Sequence, residues 1–379
     1  MFRREVFVLT EREQEILDLI RQDPYQSQQE LANQVGYSRS TVANLISSLV
    51  QKNYLRGRAY ILEESKSVVC IGGMNLDRKF YAREKLQMGT SNPVGASLSV
   101  GGVGRNIAEN LGRLEEDVLL LSLVGDDHDG EQLKSLTQSY VNLKYVDKQS
   151  HHPTSSYVAI LDEDGDMTLA LANMTICDEM TPSWLSKYEN LLLDAKGVVA
   201  DLNLPKESLD YLIQLAREHQ LQLALIPVSA PKMTHLPQDL KGVEWLIVNL
   251  DESEAYLELA LGQKVTKKDL ARAWLDHGLA QVLITEGAET MVYAHQDGTY
   301  LEIQPIPLDQ VVDATGAGDA LASGVIYGWL NGYSIQEILQ LGLTNSYHTI
   351  RSQDTVRPNL SKERLANERK ELFTNETVS

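Results

Sequence analysis

An α/β architecture, with a mostly parallel sheet covered by helices on both faces, is predicted for most of this 379-residue chain. Three observations carry the prediction. Beyond residue 67, short apolar runs ending in Gly or polar residues alternate with amphipathic stretches. The runs are apolar throughout, as strands covered on both faces must be. Two glycine-rich segments, 101–104 and 316–318, lead straight into helical sequence, an arrangement that leaves bare backbone N–H groups free for a ligand.

The first sixty residues follow a different pattern. Thr10 and Glu13 are spaced as a capping box for a helix at about 11–21, with Ile16, Leu17 and Ile20 on one face. Asp23-Pro24 stops it, Ser27 and Glu30 open a second helix through Val35, and Gly36-Tyr37 makes a tight turn. Ser38 caps a third helix, about 39–52, with Val42, Leu45, Ile46 and Leu49 inward, and 54–62 reads as a small hairpin. Residues 1–64 resemble a winged helix-turn-helix DNA-binding domain, in which Arg39, Ser40, Thr41 and Asn44 would face DNA in the major groove. A three-helix bundle for self-association fits the same spacing; the arginines of the hairpin favour DNA.

After a polar joint at 63–67, strands are expected at 68–71, 118–124, 197–201, 221–226, 245–248 and 281–285. Helices are expected at 106–114, 207–219, 251–260, 267–277 and 321–330. Segments 79–100 and 155–171 alternate instead, like exposed antiparallel strands, and predict a small second sheet serving as a lid. Residues 361–379 are left as a C-terminal tail.

Composition narrows the class. Hydrophobic residues make up 43% and charged residues 23%, ordinary for a globular protein and unlike a disordered one. No apolar run approaches the roughly 18–20 residues that span a bilayer, and the charged N-terminus is unlike a secretory signal. Cys70 and Cys177 lie in apolar sequence without metal-site spacing, which predicts free thiols and a cytoplasmic location. The net charge of −19 is uneven. Residues 1–62 hold eight basic and seven acidic residues, net +1, against 26 basic and 46 acidic residues elsewhere, net −20. An acidic body repels nucleic acid, so any DNA contact belongs to the first module.

The sharpest chemical signal is Asp313-Ala-Thr-Gly-Ala-Gly-Asp-Ala320, placed before an apolar helix. Its glycines let successive N–H groups point outward at a helix N-terminus, and such donors stabilise the charge of a transferring phosphoryl group. Asp319 stands where it would accept the proton of an attacking alcohol. The second signal is Val100-Gly-Gly-Val-Gly-Arg-Asn106, where Asn106 offers a donor and an acceptor to sugar hydroxyls. Its spacing is not that of a dinucleotide loop, and no GxxxxGK[ST] motif occurs.

Together these motifs resemble the ribokinase-like (PfkB) carbohydrate kinases over about residues 67–360. The resemblance implies a three-layer αβα sandwich with a β-sheet lid. It implies Asp319 as catalytic base and Gly316, Ala317 and Gly318 as anion hole. Asn75, Asp77, Gly101, Gly102 and Asn106 would bind the sugar. On the nucleotide side it points to Asn249 and Glu252, the latter holding Mg²⁺ through water, and to Thr285, Gly287 and Asn345. Asp313 and Thr315 match positions for an activating monovalent cation, K⁺ as the resemblance implies, and ATP is the implied phosphoryl donor.

Within the family, several runs resemble the pseudouridine kinases: Ser91-Asn92-Pro93, Thr154-Ser155-Ser156-Tyr157, Asp164-Gly-Asp-Met167, Asn173-Met174 and Pro227-Val-Ser-Ala230. Ser91, Asn92, Thr154, Ser156 and Asn173 are accordingly expected to touch the substrate. Ile226, Val248 and Ala172 depart from that subgroup's usual residues. The implied reaction is phosphorylation of the 5′-hydroxyl of pseudouridine, by a homodimeric enzyme with no membrane association. Two alternatives stay open: a kinase for ribose, fructose or another nucleoside, and a transcription regulator whose kinase-like domain only senses a ligand.

Overall fold

The structure is a computed structural model and describes residues 9–22, 26–52, 54–55, 66–257 and 265–373. The chain divides into two compact units, Met1–Ser65 and Lys66–Ser379.

The first unit holds three helices, α1 (Glu11–Gln22), α2 (Gln28–Val35) and α3 (Arg39–Gln51). The local signals act as read. Thr10 and Glu13 bond each other's backbone N–H, Ser27 and Glu30 form a full capping box, and Gly36 ends α2 in the left-handed conformation. Ile16, Leu17, Ile20, Leu31, Val42, Ile46, Leu49 and Leu55 form one buried core, with Leu45 packed at its margin. Arg39, Ser40 and Asn44 are exposed and Thr41 half-buried, although the Ser40 and Thr41 hydroxyls also bond the Ser38 cap. The expected Asp23-Pro24 stop and most of the hairpin at 54–62 lie outside the described residues.

In the second unit, chain order runs β1 (Val68–Ile71), β2 (Asn75–Ala82), β3 (Val94–Gly101), α4 (Val103–Arg113), β4 (Val118–Gly125), α5 (His128–Thr137), β5 (Val146–Gln149), β6 (Ser156–Leu161) and β7 (Met167–Asn173). There follow α6 (Pro182–Leu185), α7 (Glu189–Leu193), β8 (Gly197–Asp201), α8 (Lys206–His219), β9 (Leu223–Ile226), β10 (Trp245–Asn249), α9 (Leu250–Tyr256) and α10 (Lys267–Asp276). The last are β11 (Gln281–Glu286), β12 (Glu289–His295), β13 (Tyr300–Ile303), α11 (Ala317–Leu330), α12 (Ile335–Ile350) and α13 (Lys362–Phe373).

The main sheet has the order β13-β12-β11-β10-β9-β8-β1-β4-β5. It is parallel from β11 to β5, and only the β12–β13 end is antiparallel. Side-chain alternation splits its core in two. Val69, Ile71, Leu119, Leu121, Val198 and Leu246 pack with α8 and α10, whereas Val68, Cys70, Val118, Leu120 and Trp245 pack with α4, α11 and α12. Both faces are covered, which is why the strand sequences are apolar without a break.

The lid is a separate sheet of order β3-β2-β6-β7. Its β2–β6 pairing is parallel, not antiparallel as expected, because β4 and α5 intervene between the two hairpins. Strands β5, β12 and β13 and helix α12 are additions to the sequence reading. So is α13, which fills most of the expected tail: Leu365 is buried, and Glu368 pairs with buried Arg357 at 2.8 Å.

Candidate active site

The site lies where the parallel strands end, the edge at which open α/β sheets bind ligands. β1 ends in Gly72-Gly73-Met74, and the chain turns there into β2, placing Asn75 and Asp77 at the junction of sheet and lid. Asn75 donates its amide to Asp77, and both are more than nine-tenths buried. β3 returns antiparallel to β2 and sets Gly101 opposite Asn75. At Gly102 the backbone turns with φ +101°, and any Cβ would strike the Gly73 carbonyl. Glycine is required there because the two loops touch. α4 then begins at Val103 rather than 106, so Asn106 falls in its first turn.

Asp319, the residue expected to act as base, comes from α11. Gly316 caps it at φ +80°, where an added Cβ would strike the Thr355 carbonyl, and the helix starts at Ala317, four residues earlier than predicted. The N–H groups of Gly318 and Asp319 belong to the first turn, whose donors lack intrahelical acceptors by construction, while that of Ala317 donates to the Ala314 carbonyl at 3.2 Å. Asp319 accepts the Asn106 amide at 2.7 Å. Burial raises its pKa to about 7 despite that bond, with Asp201 and Asp77 adding repulsion and Arg105 opposing. Burial likewise lifts Asp77 to about 6. A carboxylate half-protonated near neutrality can take a proton from an alcohol and release it again.

Two residues that sequence reading missed hold this corner in place. Arg105 is 2% exposed and bonds Asn106 Oδ1 at 2.9 Å, the Thr137 hydroxyl and Glu109. Because the guanidinium can only donate, it fixes which end of the Asn106 amide faces Asp319. Asp201, fully buried at the end of β8, accepts the N–H groups of Gly73 and Gly104 at 2.9 Å each. One carboxylate thus ties the turn bearing Asn75 to the helix bearing Asn106, and burial raises its pKa. The motif Gly-Arg-Asn signalled Arg105; Asp201, in an apolar run, gave no signal beyond being charged.

Other expected site residues fall elsewhere. Asn92 closes a turn through Gln87 and Thr90, and Ser91 beside it is exposed. Thr154 is buried with its hydroxyl on Asp127 at 2.6 Å. Ser156 opens β6 and Asn173 ends β7, where its side chain bonds Thr175. Asn249 and Glu252 form the capping box of α9, at the end of β10; Oε2 of Glu252 accepts the Asn249 N–H at 2.9 Å, and burial raises the Glu252 pKa. Thr285 and Gly287 sit at the β11–β12 turn, with open space above Gly287. Asn345 is fully buried, bonding Asn110, the Ala320 carbonyl and Arg357, so its amide is spent inside the protein rather than offered to a nucleotide. Asp313 and Thr315 are bonded by Lys79 of the lid.

This arrangement of sheet, lid and carboxylate-bearing helix is matched by comparison with known proteins. The model of the pfkB family carbohydrate kinases matches residues 65–362. The chain belongs to that family. Residues 9–56 match a winged helix-turn-helix DNA-binding model, so this kinase carries such a domain at its N-terminus. An uncharacterized sugar kinase, YeiI, of Escherichia coli (strain K12) is 32% identical over 330 residues, covering 87% of this chain and 90% of its own. The pseudouridine kinase of the same organism is 33% identical over 303 residues, covering 79% and 95%. A carbohydrate kinase from Agrobacterium tumefaciens superposes with a TM-score of 0.70 at 29% identity, covering 80% of this chain and 97% of that one. The ribokinase-like fold is therefore that of the second unit, and this family member is a phosphotransferase acting on an alcohol group of a sugar or nucleoside. Among the described residues no helix is long and apolar enough to cross a membrane.

Proposed function

We propose that this PfkB kinase transfers the γ-phosphoryl group of ATP to the 5′-hydroxyl of pseudouridine. The observation that carries the reading is Asp319, a carboxylate tuned to about 7 and held by Asn106 at the head of α11. The hydroxyl oxygen attacks the γ-phosphorus and its proton passes to Asp319. The bond from that phosphorus to the β–γ bridging oxygen breaks, and ADP leaves. The ribose hydroxyls bond Asn75, Asp77 and Asn106, while the backbone amides of Gly316, Ala317 and Gly318 meet the charge spread over the transferring oxygens. Binding a sugar alone would not need a tuned base, which favours the enzyme over a ligand sensor.

Pseudouridine is favoured by the lid runs and the run after β9 named above, together with the 33% identity to a kinase of that name. Its extra base-edge N–H is the group that Ser156 and Asn173, paired across β6 and β7, would read, since Asn92 and Thr154 are engaged within the protein. A site that pairs such a group rejects the analogue lacking it, since its own polar atoms are then left unpaired. Comparing kcat/KM for pseudouridine, uridine and ribose under identical salt and ATP tests the assignment. Pseudouridine is expected to lead by about tenfold or more; ribose or uridine equalling it overturns the assignment and leaves the general sugar-kinase reading standing.

Mg²⁺ fits the residues present. Glu252 keeps one carboxylate oxygen outside its capping bond and would hold the ion through a water, and the bound ion would supply positive charge beside the phosphates. Two free, buried cysteines accord with a reducing, cytoplasmic setting. The exposed Met167, Leu169 and Leu171 of edge strand β7 support a homodimer joined through the lid.

The N-terminal unit is proposed to bind DNA through α3. Binding by the whole protein should weaken steeply with salt, and Arg39→Ala should weaken it further while leaving kinase turnover unchanged. A filter-binding salt series checks this; salt-insensitive or absent binding favours self-association.

A further inference from the structure

Asp313 and Thr315 occupy family positions for a monovalent cation, yet in this chain they already hold one. Lys79 lies on β2 two residues beyond Asp77, on the same side of the lid strand. Its ammonium donates to Asp313 Oδ2 at 2.6 Å and reaches the Thr315 hydroxyl at 3.3 Å. The other Asp313 oxygen accepts the Thr315 N–H at 2.8 Å, so the carboxylate is engaged on both sides. The two side chains are only 20% and 29% exposed, which shields the pair from solvent. Burial alone would raise the Asp313 pKa, but the bonds from Lys79 and Thr315 hold it below the usual value.

We infer that Lys79 serves as a tethered substitute for the activating monovalent cation, neutralising Asp313 and fixing the 313–318 loop. The inference rests on the kinase reading above and departs from the K⁺ requirement that the family resemblance implies. An ammonium carries the same single charge as K⁺ and donates to the same oxygen ligands. Being covalently attached to β2, it needs no free ion, and it ties the shape of the anion-binding loop to the position of the lid strand that also bears Asp77. The wider loop is anchored independently, since the N–H groups of Val312 and Asp313 both bond the Ile350 carbonyl. Lys79 is therefore a positioning residue for the turn ahead of α11, not a group that touches the reacting atoms.

The experiment compares K⁺ with choline as chloride salts at equal ionic strength, reading thermal melting of the nucleotide-free protein as well as kinase turnover. The wild-type protein should melt at the same temperature in both salts and keep the same turnover within about twofold. Lys79→Met should melt lower in choline and recover by roughly 2 °C or more in K⁺. Its turnover should fall about tenfold in choline and be partly restored by K⁺, whereas Lys79→Arg should remain insensitive to the salt. A wild-type protein that melts higher in K⁺, or is activated several-fold by it, overturns the inference, as does a Lys79→Met protein blind to K⁺ in melting. The melting arm needs no substrate, so a wrong assignment of the phosphorylated compound would appear as absent turnover while the melting comparison still decides the role of Lys79.

Discussion

The proposed acceptor corner and the proposed nucleotide side of this site are built to different standards. At the acceptor corner, Asn75, Asp77, Arg105, Asn106, Asp201 and Asp319 are joined by hydrogen bonds or by charge across four elements, and all but Asp319 are almost wholly buried. On the nucleotide side, Asn249 is exposed and satisfied by a local capping box, and Gly287 faces open space. The contrast teaches where preorganisation is needed. In the proposed reaction a proton must leave an alcohol at one fixed atom, and the proposed base and its neighbours are already set in the ligand-free protein. Triphosphate binding can rely on backbone donors and ions that arrive with the ligand.

If that contrast holds, the largest effect comes from the base itself. Asp319→Asn should keep the fold and substrate affinity while kcat falls about 10²–10⁴-fold, measured by steady-state kinetics beside a binding titration. The same variant should melt higher than wild type at pH 8 and not at pH 3. A carboxyl with a folded pKa near 7 against 3.8 unfolded costs stability as pH rises through that interval, and Asn removes the cost. A variant retaining a third of wild-type kcat would deny Asp319 its role.

Arg105→Met should come next. Losing the donor frees the Asn106 amide to turn, and losing the charge raises the Asp319 pKa, because Arg105 acts to lower it. The expected outcome is a drop of about tenfold or more in kcat with the acid limb of the pH–rate profile moved to higher pH. Arg105→Lys should restore the position of the limb better than it restores the rate. An unshifted limb in Arg105→Met would make the residue merely structural.

The smallest effect is expected outside the acceptor corner. Glu252→Gln retains the capping geometry but removes the charge, so KM for the Mg²⁺–ATP pair should rise about tenfold with kcat changed little. A collapse in kcat comparable with that of Asp319→Asn would erase the contrast between the two sides.

Much of this protein was legible in local sequence because its signals act over three or four residues. Capping boxes at Thr10, Ser27 and Asn249 and the octapeptide ending at Ala320 work wherever the chain goes, since each satisfies backbone groups beside it. Even α12 carries such a signal in Ser334 and Glu337, whose side chains bond each other's backbone N–H groups. Periodicity likewise separated buried parallel strands from lid strands, because covering one face or both dictates which residues must be apolar.

Tertiary structure alone decided the rest. Asp201 meets Gly73 and Gly104 across 128 and 97 residues, and Lys79 meets Asp313 across 234. No local pattern encodes such pairs, and the shifts at Asp77 and Asp319 arise from burial that exists only once sheet, lid and α11 are assembled. Sequence by itself determined which chemical groups this kinase possesses and on which elements they ride. Packing determined which of them are withdrawn from water and which charges they face, because desolvation and Coulomb terms depend on distances that only the folded chain creates.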